Sequence, residues 1–179
     1  MKSFEGIRYY PLLQLGLSQM YLNEEKVNSI EQWFDPDDIS KMTPVPVHDF
    51  GNGQYTLTDG HSRVFVAYKY GLTHVPIVYD NDEMIINEIG QRLYHMDIEW
   101  CKRFHLNNIS DLSKRILPNE DYIKFWIERC QKSYNLLSQT TVEEQRRLQD
   151  METKLYLFGA SENLLQLFFE DREGNLYIL

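Results

Sequence analysis

The residues best suited to chemistry lie together in the stretch DGHSR at residues 59–63, directly after the β-type run QYTLT. A glycine at such a junction lets another backbone or a ligand approach closely. The first turn of the helix that follows has N–H groups without partners and partial positive charge, which suits an anion. Arg63 offers a forked pair of donors for phosphate, and Ser62 offers a hydroxyl. The spacing predicts a phosphate site formed by Gly60, His61, Ser62 and Arg63.

Asp59 is an acid beside this predicted anion site, where on its own it would repel phosphate. Its type and place fit three roles, which the sequence leaves open: a cap of the following helix, a magnesium ligand, or a base. A purely structural interpretation of this stretch is also open, because Asp-Gly before a helix is a common capping arrangement. A first-turn arginine such as Arg63 is often only a surface residue.

The elements that position the stretch can be read from turn signals and hydrophobic spacing. Residues 7–17 contain Pro11 and predict an edge strand or extended chain. Asn23 caps a predicted helix over residues 24–34, which ends at Asp35-Pro36. Strands are predicted at 44–50 and 54–58 around the turn Gly51-Asn52-Gly53. A helix from residue 61 ends at Gly71, and a strand follows at 75–79. The order strand, turn, helix, strand is that of a βαβ unit.

The second half of the sequence has mostly helical periodicity. Helices are predicted near residues 97–104, 109–117, 118–137 and 141–151, and a terminal β-hairpin at 164–171 and 175–179. The fold class expected is therefore α+β, a mixed sheet with helices followed by a helical half that ends in a β-hairpin. Two domains are expected, 1–82 and 83–179, with the site in the first.

Composition and charge exclude several classes of protein. The 179 residues include 18 basic and 27 acidic side chains, a net charge of −9, and neither half has the basic excess of a protein that grips nucleic acid. Binding to DNA is therefore disfavoured. No apolar run approaches the roughly 20 residues that span a bilayer, and the N-terminus lacks the apolar core of a signal peptide. The two cysteines and the histidine spacing match no zinc pattern, so no metal site of the protein's own is predicted and a reducing cytoplasm is expected.

The stretch LTDGHSRVFVA at residues 57–67, followed by Gly71 and VPIV at 75–78, resembles the ParB/sulfiredoxin superfamily. PVPV at 44–47 resembles the preceding strand of that family. The resemblance implies a ParB/sulfiredoxin-like fold that binds nucleotide phosphates at this helix N-terminus, with Gly60 and Arg63 at the family's Gly-x-x-Arg positions. No cysteine precedes Trp100, so sulfiredoxin chemistry is absent, and no helix-turn-helix like that of ParB is apparent. The form Asp-Gly-His-x-Arg is most similar to free-serine kinases, which also use an acid from the N-terminal helix region, where Glu24-Glu25 occurs here.

The function implied is binding of ATP or ADP with Mg²⁺, in a phosphotransferase that acts on a small hydroxyl-bearing metabolite. Asp59, His61 and Glu25 are its predicted catalytic residues, with Asp59 or Glu25 as the base. The alternative is a non-catalytic nucleotide-binding module in regulation or interaction, and a DNA-associated protein is the third possibility. Micromolar affinity needs about 8 kcal/mol, more than the helix turn and one arginine supply, so a pocket for the base is expected. Its candidate walls are Tyr9, Tyr10, Phe50 and Tyr79.

Overall fold

A computed structural model describes residues 3–138 of the chain. The chain divides into two compact units, Met1–Tyr122 and Ile123–Leu179. The predicted α+β class is confirmed, because the described residues form a four-stranded mixed sheet together with helices. The predicted helix at 141–151 and the terminal hairpin lie outside the described residues.

Six strands occur in the described part of the chain: β1 (Ile7–Pro11), β2 (Leu22–Asn23), β3 (Val45–Asp49), β4 (Tyr55–Leu57), β5 (His74–Tyr79) and β6 (Ile116–Leu117). Six α-helices occur in the same part: α1 (Glu24–Trp33), α2 (His61–Lys69), α3 (Glu83–Ile86), α4 (Glu88–Arg103), α5 (Asn119–Tyr122) and α6 (Glu128–Leu137). Short 3₁₀ turns and a π-helical turn, Ile123–Ile127, lie between them. Within the described residues, no helix has both the length and the apolar character that crossing a bilayer requires.

The larger sheet has the strand order β1-β5-β3-β4. β1 lies at the edge, as Pro11 predicts, and pairs antiparallel with β5. β3 pairs antiparallel with β4 and parallel with β5. The βαβ interpretation of β4, α2 and β5 was therefore wrong, since the parallel pair is β3 and β5. The cause is the turn after β3, where Gly51 and Gly53 have φ of 92° and 75° and return the chain antiparallel.

The two helices next to the candidate site have the predicted ends. The Asn23 side chain accepts a hydrogen bond from the backbone N–H of Lys26, so it caps α1. Gly60 and Gly71 bracket α2 in left-handed conformations, with φ of 80° and 79°. α2 contacts α1 and buries four consecutive side chains, those of residues 64–67. This packing holds the N-terminal ends of both helices in fixed positions.

A second, two-stranded pairing joins distant parts of the first unit. Leu22 pairs with Ile116 and Asn23 with Leu117, in parallel register. Through this pairing the residues that lead into α5 lie beside the start of α1. The first compact unit therefore extends past residue 82, where the sequence places a domain boundary, as far as Tyr122.

The helices after residue 82 differ in their bounds from those expected. α4 begins at Glu88, nine residues before the predicted start at 97, because Asn87 caps it by accepting from the Gly90 N–H. Gly90 stands where a Cβ would collide with the backbone carbonyl of Met84, so a residue that suggests a helix break serves close packing here. The helix predicted over 118–137 is divided by the π-helical turn.

Candidate functional site

A cavity of about 640 Å³ lies in the first unit, between the N-terminal ends of α1 and α2 and the start of α5. Its volume is within the usual range for small-molecule sites. It brings together the six residues that the sequence predicts for phosphate binding and catalysis: Glu25, Asp59, Gly60, His61, Ser62 and Arg63. Their proximity is a finding, whereas the roles predicted for them remain predictions.

The N-terminus of α2 faces this cavity without a side-chain cap. Gly60 is its N-cap residue and has no side chain to accept a hydrogen bond. The first backbone bond of the helix runs from the Val64 N–H to the Gly60 carbonyl, at 3.0 Å, so the N–H groups of residues 61–63 have no acceptor in the described part of the chain. Asp59 precedes the N-cap and does not cap the helix, which removes one of its three possible roles.

His61 is buried in the cavity wall, with only 2% of its surface exposed. Its Nε2 accepts a hydrogen bond from the backbone N–H of Ser18, at 3.3 Å, so the ring proton lies on Nδ1. That Nδ1 has no partner among the described residues. Burial lowers the pKa of His61 from 6.5 to about 4, against a smaller opposite effect of Asp59. His61 is therefore neutral near pH 7 and fits a hydrogen-bond donor better than a base.

Arg63 is tied into the protein and is less free than the sequence suggests. Its Nη1 donates to the carbonyl of Thr43, at 2.9 Å, and Nη2 lies 3.3 Å from a carboxylate oxygen of Asp59. The guanidinium packs over Gly60, where a Cβ would lie 2.9 Å from Nη2 and 2.7 Å from the Val45 side chain. Arg63 therefore holds the chain that leads into β3, and its predicted role in binding phosphate remains a prediction.

The charged side chains around the cavity balance each other. Asp59 and Glu25 are exposed carboxylates, and Arg63 and Lys26 are the cations that line the same cavity. The pair between Arg63 and Asp59 lies at the surface, since the aspartate side chain is 78% exposed. Neither Lys26 nor Glu25 belongs to any ion pair of the described part of the chain. Sequence analysis missed Lys26, although its place three residues after the cap Asn23 puts it in the first turn of α1.

The side of the cavity nearest α5 is polar and carries three carboxamides, those of Gln19, Asn23 and Asn119. The aromatic walls predicted from sequence were wrong for this cavity, because none of the four residues proposed for them lines it. Tyr10 makes an edge contact with the Tyr55 ring, and Phe50 belongs to a hydrophobic cluster with Ile85 and Ile98. Tyr10 and Phe50 thus pack against other side chains of the unit, as strand aromatics commonly do, whereas Tyr9 is 56% exposed.

Metal binding by the protein alone has little support at this site. Among the residues that the structure describes, no group of three or more His, Cys, Asp and Glu side chains could hold a metal ion. Glu25 and Asp59 are the acids that line the cavity. A Mg²⁺ ion bound here would take most of its oxygen ligands from phosphate and water, which is usual for magnesium nucleotides.

Comparison with known proteins gives few relatives. No protein-family model matches the sequence, and no curated protein matches it. Among solved structures, the chain is similar to the protein Atu1540 from Agrobacterium tumefaciens, with 13% identity and a TM-score of 0.43, covering 78% of this chain and 83% of that one. It is also similar to the C-terminally truncated chromosome-partitioning protein ParB from Caulobacter crescentus, complexed with CTP-gamma-S. That match has 18% identity and a TM-score of 0.33, covering 75% of this chain and 93% of that one.

Proposed function

We propose that the protein binds a nucleotide and holds its phosphates at the N-terminus of α2. The observation that carries this proposal is an uncapped helix end that opens into a cavity beside the buried, unpartnered Nδ1 of His61. A buried donor without an acceptor costs about 1–3 kcal/mol, and an oxyanion in the cavity would supply the acceptor. The resemblance of residues 57–67 to the ParB/sulfiredoxin superfamily supports the same ligand.

The groups around the helix end are sufficient for a phosphate site. A helix N-terminus contributes up to about 2 kcal/mol, and a charge-assisted hydrogen bond about 1.5–3 kcal/mol. With Arg63 and Lys26 both in contact with the phosphates, the sum is roughly 5–8 kcal/mol, which corresponds to millimolar to micromolar affinity. Arg63 would exchange its surface pair with Asp59 for phosphate, and this costs little because exposed ion pairs contribute about 0–1 kcal/mol.

The finer proposal is a phosphotransferase that uses ATP or ADP with Mg²⁺ and a small hydroxyl-bearing acceptor. It is favoured by Glu25, a carboxylate without an ion-pair partner in the described residues that shares the cavity with the phosphate-binding groups. In this scheme Glu25 accepts the proton of the acceptor hydroxyl, Asp59 contributes to holding Mg²⁺, and His61 donates a hydrogen bond from Nδ1. Phosphoryl transfer depends mainly on positioning and charge neutralisation, so these few groups suffice.

The alternative is a nucleotide-binding module without catalysis, whose bound state is recognised by another protein. It uses the same helix end and the same cations, and it differs only in that Glu25 has no chemical role. A DNA-associated function remains disfavoured by the net charge of −9.

Calorimetry of the full chain against ATP, ADP, CTP, GTP and inorganic triphosphate, with and without Mg²⁺, tests the binding proposal. We expect binding in the wild type and a clear loss in Arg63→Ala, whereas Lys114→Ala, which removes an exposed cation outside the cavity, leaves affinity unchanged. Absence of binding at millimolar ligand would refute the proposal.

Incubation with labelled ATP and a pool of hydroxyl-bearing metabolites then tests turnover. Glu25→Gln should abolish it, and Glu24→Gln should not, since Glu24 does not line the cavity.

A further inference from the structure

The three carboxamides on the α5 side of the cavity, Gln19, Asn23 and Asn119, form what we call the amide wall. The wall carries no charge, in contrast with the helix end that faces the same cavity. A carboxamide has a donor end and an acceptor end, so the chemistry it offers a ligand depends on which way each amide points. In this protein, backbone groups decide the orientation of all three.

The orientation of Asn119 follows from a chain of two hydrogen bonds. The Lys26 backbone N–H can only donate, and it bonds to Asn23 at 3.2 Å, so the atom of Asn23 that receives it is the oxygen. The amide nitrogen of Asn23 therefore points the other way and donates to Asn119 Oδ1, at 2.7 Å. The NH₂ group of Asn119 is left without a partner in the described residues and is available as a donor.

The orientation of Gln19 is fixed in the same manner. Its Nε2 donates to the backbone carbonyl of Tyr21, which can only accept, and it also lies 3.2 Å from the hydroxyl of Tyr122. The oxygen Oε1 of Gln19 is therefore the free end, and it can only accept. The amide wall thus offers a donor group on Asn119 and an acceptor on Gln19. Flipping the Gln19 amide would break its bond to the Tyr21 carbonyl, and flipping the Asn119 amide would break its bond to Asn23.

We propose that the amide wall binds the base of the nucleotide through a donor and an acceptor on one edge of the base. This inference rests on the proposed function and deepens it. Phosphate oxygens only accept hydrogen bonds, so the Gln19 oxygen repels them and directs them to the helix end. A nucleobase edge is neutral and carries both donor and acceptor groups, and carboxamides pair with such edges. The base and the phosphates then occupy opposite sides of one cavity.

The decisive variant is Asn119→Asp, which keeps the oxygen that accepts from Asn23 and replaces the free NH₂ group by an oxygen. Its affinities for ATP, CTP, GTP, UTP and inorganic triphosphate are measured by calorimetry beside the wild type. Triphosphate has no base, so it reports the effect of the added negative charge alone. Asn28→Asp adds the same charge on the exposed surface of α1, outside the cavity, and serves as the control.

We expect at least one nucleoside triphosphate to bind the wild type tenfold or more tighter than triphosphate, and Asn119→Asp to remove that difference. Asn23→Asp is a second variant with the same expected result, because it keeps the helix cap and forces the Asn119 amide to turn its oxygen to the cavity. If the difference persists in both variants, or if triphosphate binds as tightly as every nucleotide, the inference is overturned while the phosphate site stands. If the wild type binds neither triphosphate nor nucleotides, the proposed function itself fails.

Discussion

The backbone N–H of Ser18 donates a hydrogen bond to Nε2 of His61, at 3.3 Å. The Ser18 hydroxyl also donates to the Leu57 carbonyl, at 2.6 Å, so one residue between β1 and β2 joins β4 to the first turn of α2. The bond fixes the histidine tautomer and places its remaining proton on Nδ1. The ring thereby acts as a structural acceptor on one side, and on the other side it carries a donor without a partner in the described residues.

The stability of the first unit should depend on pH through His61. Burial lowers its pKa from 6.5 to about 4, so between these values the unfolded chain binds more protons than the folded one. The free energy of unfolding is therefore at its full value above pH 6.5 and falls as the pH decreases, by about 3 kcal/mol at pH 4. Chemical denaturation at a series of pH values measures this slope.

His61→Gln is the matched variant, because the glutamine oxygen can accept from the Ser18 N–H but does not titrate. In this variant, most of the decrease in the free energy of unfolding between pH 6.5 and pH 4 should disappear. A small part of the pH dependence should remain because of His95. Burial lowers the pKa of His95 as well, and the charge of Lys102 lowers it to a smaller extent. His74→Gln changes an exposed histidine and should behave as the wild type does. Parallel curves for wild type and His61→Gln would contradict the prediction.

Gly60 should tolerate a side chain less well than Gly71, although the two have nearly the same φ, 80° and 79°. An alanine at 60 would place its Cβ 2.7 Å from the Val45 side chain and 2.9 Å from Arg63 Nη2, whereas at 71 nothing lies within 4 Å. Gly71→Ala therefore has only the backbone cost, about 1–2 kcal/mol. Gly60→Ala should lose about 1–3 kcal/mol more from crowding. Equal denaturation midpoints for the two variants would argue against close packing at Gly60.

Local signals in the sequence were sufficient for most of the elements around the site. Asn23, the turn at 51–53, Gly60 and Gly71 each impose a backbone conformation on the residues beside them, and the helices and strands that they delimit were predicted correctly. The mixed sheet and the α+β class followed from their order. That Glu25 lies in the same cavity as residues 59–63 was expected only from the family resemblance.

The features that sequence reasoning missed depend on pairing between distant residues. β2 and β6 have two residues each, too few for a periodic signal, yet their pairing places Asn119 beside Asn23. The parallel pairing of β3 with β5 is likewise invisible in either strand alone. The hydrogen bond that ties Arg63 to the protein backbone was missed because its acceptor is the carbonyl of Thr43, twenty residues earlier in the chain.

Arg63 should affect both ligand binding and stability. Arg63→Ala removes one charge-assisted contact with phosphate and should weaken nucleotide binding by roughly 1.5–3 kcal/mol, about 10- to 150-fold. It should also lower the free energy of unfolding by about 1 kcal/mol, because the bond to the Thr43 carbonyl is lost. Arg63→Lys keeps the charge without the forked donors, so it should recover part of the affinity. Calorimetry and denaturation on the same samples separate the effects, and unchanged affinity in Arg63→Ala would remove the residue from the site.

Asp59→Asn distinguishes repulsion of phosphate from binding of magnesium. Without Mg²⁺, the variant should bind triphosphate a few-fold tighter, since it loses a negative charge beside the helix end and frees Nη2 of Arg63. The gain stays below about tenfold because the Arg63 pair is exposed and such pairs contribute about 0–1 kcal/mol.

With Mg²⁺, the increase in triphosphate affinity that the ion causes should be smaller in the variant than in the wild type, because one carboxylate ligand is missing. Asp37→Asn, an exposed change outside the cavity, is the control for net charge. Equal response to Mg²⁺ in variant and wild type would exclude Asp59 as a ligand, and equal Mg²⁺-free affinity would show that its carboxylate does not act on the phosphates at all.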